Sequence, residues 1–220
     1  MRPQDDKYIF TDDTDYSDSS KSSVWGTEEE STKKCIINSN VHGSWLNLCA
    51  GDGRFNNLLL QRANKVVVAD IDINPLNKLK RNTPDSLKNK LTTQIFNIVG
   101  AFPFQNKSFD GIFCVGTLHL FSKNVLQEIV SEMSRVLKED GIIIIDFATD
   151  IQRVQADGTN WVVDNEPSYI KVEAIKLLKD LFNNYKTEMV FDYSEPEKVD
   201  LGYKTYTFSC NFILLKAESL

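Results

Sequence analysis

Four consecutive isoleucines, Ile142-Ile143-Ile144-Ile145, constrain the fold of this chain more than any other feature. Successive side chains point to opposite faces of a strand, so an unbroken β-branched run is stable only where both faces are covered. Such a strand belongs inside a mostly parallel sheet with helices packed on each side. Gly141 leads into the run, and Val125, Ile129, Met133, Val136 and Leu137 precede it at helical spacing.

The rest of the chain alternates in the same way. Trp45 to Cys49 reads as a short apolar strand, followed by a Gly-containing turn and a helix carrying Phe55, Leu58 and Leu59. Val66 to Ala69 is a β-branched strand ending at Asp70. Asn74-Pro75 then reads as N-cap and first residue of a helix, with Leu76 and Leu79 inward and Lys78 and Lys80 outward. Pro84 interrupts that helix and starts another short one. Gln94–Ile98 is expected as a third strand and Gly111–Val115 as a fourth. After a polar stretch containing Asp157-Gly158, a helix runs through Ile175, Leu178 and Leu181, and two longer strands follow at about 187–193 and 203–215. Two strands in succession imply a hairpin that adds one antiparallel strand to a doubly wound α/β sheet.

Ahead of this block, a helix is predicted from Trp25 to Asn38, with Thr27 as N-cap and Glu30 as its box partner. Residues 1–23 are acidic and rich in Ser and Asp, with little to bury, and are expected as a loose tail to a single domain spanning 24–220. The tail lacks the basic-then-apolar pattern of a secretion signal, and no apolar run reaches the roughly 18–20 residues of a membrane span. Together these place the protein in the cytoplasm and give no membrane partner. A net charge of −6 disfavours a broad nucleic-acid footprint. The four cysteines and two histidines show no metal or redox spacing. Cys114 and Cys210 sit in apolar runs, where thiols behave as small hydrophobes.

In such sheets ligands bind beyond the carboxyl ends of the strands. The turn there is Asn47-Leu48-Cys49-Ala50-Gly51-Asp52-Gly53-Arg54. It serves either close ligand approach or merely a tight strand-to-helix connection. Asn56 leaves the dinucleotide pattern GxGxxG incomplete, which a cofactor without a pyrophosphate tolerates. Asp70 ends the second strand where a carboxylate accepts both hydroxyls of an adenosine ribose. Read alone it is equally a solvated strand end, but in register with the Gly turn the ribose role prevails.

These pieces, with Phe102-Pro103-Phe104 through Ser108-Phe109-Asp110-Gly111, Thr117-Leu118-His119 and Arg135-Val136-Leu137-Lys138-Glu139-Asp140-Gly141, occur in one order over Trp45–Asp146. In that order they resemble a class I S-adenosylmethionine-dependent methyltransferase of the type 11 group. The resemblance implies a Rossmann-like, seven-stranded sheet with its last strand antiparallel, and S-adenosyl-L-methionine as cofactor. The cofactor residues expected are Asn47, Cys49, Gly51, Asp52 and Gly53 in the turn, Asp70 and Ile71 after the second strand, Asn97 and Ile98 after the third, and Gly116 after the fourth. The sequence departs from the family at Asn47, where an acid is usual, and at Cys49, where a glycine is usual.

Methyl transfer from a sulfonium is an in-line displacement in which alignment supplies much of the rate, and a base is needed only for a protonated acceptor. His119 is the first candidate base, since its ordinary pKa of about 6.5 suits that task. Packing beside Phe121 is its alternative role. Asp146 is the second candidate, with loop capping as the alternative. Trp25-Gly26 is expected over the cofactor and Trp161 beside the acceptor, unless both only pack. The missing Asn/Asp-Pro-Pro-Tyr signature at Val115–Leu118, and a Cys114 that follows no proline, turn the expectation to a small-molecule acceptor. A non-catalytic domain that uses the pocket for sensing or partner binding is the alternative function.

Overall fold

The computed structural model describes residues 14–17, 23–26, 29–163, 166–200 and 204–219. Strands β1 (Ser44–Leu48), β2 (Lys65–Asp70), β3 (Leu91–Ile95), β4 (Phe109–Cys114), β5 (Leu137–Val154), β6 (Tyr185–Asp200) and β7 (Thr205–Ser219) form one sheet in the order β3-β2-β1-β4-β5-β7-β6. The pairs among β1 to β5 are parallel, and β7 runs antiparallel to both β5 and β6. The mixed, doubly wound sheet expected from the alternation is therefore present.

The isoleucine run explains why. Ile143 and Ile145 enter a core with Leu46 and Leu48 and with Ile129, Met133 and Leu178. Those last three come from helices α5 (Lys123–Val136) and α6 (Lys171–Leu181). Ile142 and Ile144 enter a second core on the other face with Trp45, Val66 and Val68. That face is covered by Ile36 of α1 (Glu30–Asn38), Leu59 of α2 (Asn56–Arg62) and Leu76 of α3 (Ile73–Asn82). A one-turn helix, α4 (Asp85–Lys88), follows Pro84. Cys114 and Cys210 are buried free thiols, as their apolar runs required.

Several boundaries differ from expectation, each for a local reason. Helix α1 starts at Glu30, not near Trp25, because Gly26 takes a left-handed φ of 90° and the Trp25 carbonyl accepts from Arg54 instead of a helical amide. Thr27, the expected cap, lies outside the described residues. Helix α3 begins at Ile73 with Asp72 as N-cap, its carboxylate accepting from the Asn74 amide at 2.9 Å. Pro75 then sits in the first turn, where its missing N–H costs no intrahelical bond. Lys78 is buried rather than outward, because the equally buried Asp52 carboxylate meets its Nζ at 3.1 Å.

Strand β3 ends at Ile95, and the chain leaves the sheet through Asn97, whose Oδ1 accepts from the Val99 amide. Strands β5, β6 and β7 outrun their neighbours and project beyond the carboxyl edge of the sheet. Register shifts at Thr149/Gln152 in β5 and Ser194/Glu197 in β6 interrupt the projecting ladders. Such bulges bend and twist a strand pair. No helix among the described residues is long and apolar enough to cross a membrane.

Candidate active site

At the carboxyl edge of β1 the chain must turn sharply into α2. Cys49 adopts φ 49°, the left-handed conformation that a glycine would supply there, and so preserves the turn. Asp70, at the end of β2, braces this turn. Its Oδ2 accepts from the Gly51 amide at 2.8 Å and its Oδ1 from the Asp72 amide at 3.1 Å. Burial raises the Asp70 pKa, and the surrounding backbone amides oppose that rise.

A cavity of about 310 Å³ opens beside the turn and runs along the carboxyl edges of β1, β2 and β4 to the projecting part of β5 to β7. Its first half is bounded by Asn47, Cys49, Gly51, Asp70, Ile71, Asn97, Ile98 and Gly116. Asp52 and Gly53 stand outside it. Asp52 is turned toward Lys78, and Gly53 lies so close to α3 that a Cβ there would sit 2.7 Å from Leu79.

The second half holds His119 and Asp146. They approach from opposite faces of β5, since Asp146 shares the face of Ile144 while the next residue, Phe147, stacks edge-on with the His119 ring at 6.3 Å. Asp146 Oδ1 accepts from the Gly116 amide at 2.6 Å. Its Oδ2 and His119 Nδ1 are buried with no hydrogen-bond partner among the described residues. Burial pushes the Asp146 carboxyl up to about 7, opposed by the Gly116 amide and by Arg54. Burial, and secondarily Arg153, pushes His119 down to about 3. Near pH 7 His119 is therefore neutral and Asp146 about half protonated, the direction of both shifts being that of desolvation.

Residues 46–145 match the family model described as "Methyltransferase domain". The chain has the methyltransferase fold. A solved SAM-dependent methyltransferase from Methanosarcina mazei is similar over 89% of this chain and 100% of its own, at 14% identity and a TM-score of 0.62. The YcgJ protein of Bacillus subtilis is similar over 87% of this chain and 99% of its own, at 14% identity and a TM-score of 0.63. Phosphoethanolamine N-methyltransferase 1 of Haemonchus contortus, solved with phosphoethanolamine and S-adenosylhomocysteine, shares 17% identity over 82% of this chain and 41% of its own, with a TM-score of 0.58. At these identities the likeness is one of fold. A search of curated proteins finds no match.

Several walls of this cavity escaped sequence reading. Tyr16, from the acidic lead-in, is buried and lines the first half with Trp25. Arg54 spans the cavity rim, donating to the Trp25 carbonyl at 3.0 Å and to Glu29 at 2.7 Å. Arg153 is held in a two-pronged ion pair with Glu166, at 2.6 and 2.7 Å, with its guanidinium near the Phe208 and Trp161 rings. Trp161 itself packs on Tyr206 at 5.0 Å, one layer behind the cavity wall. Tyr206, Phe208, Cys210 and Phe212 all face the cavity from β7. Their spacing of two was a usable signal, because it assigns all four to one face of a strand.

Proposed function

We propose that this domain binds S-adenosyl-L-methionine and transfers its methyl group to a small-molecule acceptor bearing an N–H or O–H group. The observation that carries the reading is the second half of the cavity. There two buried polar atoms, Asp146 Oδ2 and His119 Nδ1, lack partners among the described residues beside an apolar wall. A buried polar atom left unpaired costs about 1–3 kcal/mol, and a bound donor relieves that cost. The cavity of about 310 Å³ lies at the small end of the ordinary range for small ligands.

The first half fits the cofactor. Asp70 presents a carboxylate where a ribose would lie, Gly51 and Cys49 keep the turn open beside it, and Asn97 and Ile98 bound the space beyond. Because Cys49 takes up the conformation of the usual glycine, the altered motif gives no ground for a sensor in place of an enzyme. Bound S-adenosylmethionine supplies an electrophilic methyl on sulfur.

The protein's contribution is orientation and proton handling. Asp146, with its carboxyl raised to about 7, is the group matched to accept an acceptor proton near neutral pH. His119, lowered to about 3, stays neutral and positions the acceptor through its free ring nitrogen. The reason for expecting His119 as base was its ordinary pKa, and burial removes that reason. Titration calorimetry with S-adenosylhomocysteine, followed by a screen of radiolabelled methyl transfer to amines, phenols and alcohols, tests the reading. No heat of binding would overturn the cofactor assignment. Binding without transfer to any of the three classes would favour the non-catalytic alternative.

A further inference from the structure

The turn that faces the cofactor cavity carries one carboxylate pointing away from it. Asp52 is 2% exposed and gathers two hydrogen-bond donors and one ion-pair partner from distant parts of the chain. The Ser23 hydroxyl donates to Oδ1 at 2.7 Å, the Val24 amide donates to Oδ2 at 2.8 Å, and Lys78 Nζ lies 3.1 Å from Oδ2. Lys78 is 1% exposed, although the apolar pattern of its helix assigns a lysine at that position to the outside. Burying such an ion pair costs several kcal/mol per ion before the attraction is counted, so it persists only when its remaining hydrogen-bonding capacity is filled. Here the segment at Ser23 and Val24 fills the carboxylate's share of it, while Lys78 Nζ has no hydrogen-bond partner among the described residues.

That segment leads directly over the cavity. Ser23 Oγ also accepts from the Trp25 amide, and the Trp25 indole nitrogen stands 3.2 Å from where a Cβ on Gly51 would be. The Trp25 carbonyl accepts from Arg54. Residues 52 and 54 of the turn thus hold the segment on either side of the indole, while residue 51 leaves room for it. Tyr16 joins this cover, lining the cavity with its phenol hydrogen-bonded to the Trp25 side chain. Beyond it, Gly26 comes so near β6 that a Cβ would lie 3.0 Å from the Glu197 carboxylate.

We propose that Asp52, held in place by Lys78, is a latch that fastens residues 23–25 over the cofactor end of the cavity and so sets how long the cofactor stays bound. This rests on the cofactor reading above. Asp52 is then a positioning residue that never touches the cofactor, in contrast to the direct contact expected from its place in the glycine turn. Opening the cover breaks two hydrogen bonds to a buried carboxylate, and bonds to an ionised acceptor are about twice as strong as neutral ones.

The test is the dissociation rate of S-adenosylhomocysteine, followed by stopped-flow tryptophan fluorescence on the full chain. Ser23→Ala removes one latch bond and leaves the Asp52–Lys78 pair intact. It should speed dissociation by roughly ten- to a hundredfold, the range for a bond to a charged group, while the ligand-free melting temperature falls only by the few degrees that the loss of one buried bond costs. Ser23→Thr should restore the slow rate. Asp52→Asn would leave a buried lysine unpaired and could fail to fold, so the double variant Asp52→Leu with Lys78→Met replaces the whole pair by apolar side chains. It should also release the ligand faster. Unchanged dissociation in both Ser23→Ala and the double variant would overturn the latch and leave the cofactor reading standing. Failure of the unmodified protein to bind the ligand would overturn the cofactor reading itself.

Discussion

His119 and Asp146 sit in one cavity and are displaced in opposite electrostatic senses by the same cause. Asp146 titrates near 7 in the fold, above its ordinary 3.8, so between those values the folded state keeps a proton that the unfolded chain has lost. Stability therefore falls as pH rises through that window. His119 titrates near 3 in the fold, below its ordinary 6.5, so between those values the unfolded chain holds the extra proton and stability rises with pH. Each slope approaches about 1.4 kcal/mol per pH unit, and from roughly pH 4 to 6.5 the two cancel. Asp146→Asn should uncover the rise attributable to His119, and His119→Gln the fall attributable to Asp146. Melting curves at half-unit pH steps read both, and three superimposable profiles would reject the two displaced values. Asp70 offers a second test at this scale. Asp70→Ala should weaken S-adenosylhomocysteine binding by about 1.5–3 kcal/mol. Asp72→Ala removes only the α3 cap, so it should lower stability by about 0.5–2 kcal/mol with little effect on the ligand. Calorimetry showing equal binding losses would remove the ribose role from Asp70.

Among elements, legibility followed burial. Strands β1 and β2 and the Ile142–Ile145 part of β5 could be read directly because their apolar runs are covered on both faces, and the turn after β1 because its glycines have few other uses. The rest of β5, before that run from Leu137 and beyond it to Val154, was not read as strand. The hairpin was read too short. Strand β6 alternates between partly buried and exposed positions only over Tyr185–Val190 and is mostly exposed beyond, so no apolar run marked its end. Lys78 was misread because a helical pattern assigns a lysine outward unless a buried acid waits for it. That acid lies 26 residues earlier in sequence, and only the fold reveals it. Tyr16 and Ser23 were hidden for the same reason, being polar-looking residues whose partners are distant. Gly53 shows how tightly one element limits another. Its φ of 89° and the approach of Leu79 mean that Gly53→Ala combines left-handed strain with overpacking against α3. The two costs together should destabilise the protein by roughly 2–4 kcal/mol. A urea midpoint unchanged by that substitution would show that α3 can move aside, and would weaken the case for a fixed turn.

For the molecule as a whole, the cavity is cut into the edge of the sheet and walled by segments from both ends of the chain, from Tyr16 to Phe212. A ligand filling it would tie those segments together, and because it binds the folded state alone it must stabilise the entire domain by linkage. At a free concentration 100 times the dissociation constant, that stabilisation is about 2.7 kcal/mol. For a chain of this size each kcal/mol raises the melting temperature by about 2–4 °C, so S-adenosylhomocysteine should raise it by roughly 5–10 °C. The shift should grow with the logarithm of concentration and show no plateau above saturation, because mass action continues to favour the folded state. NAD should give no shift, since Asn56 stands where a dinucleotide turn requires its third glycine. Equal shifts with both compounds would mean that the cavity recognises adenosine alone, leaving Asp146 and His119 outside the ligand's reach. No shift with either would separate the methyltransferase fold of this chain from the cofactor of that fold.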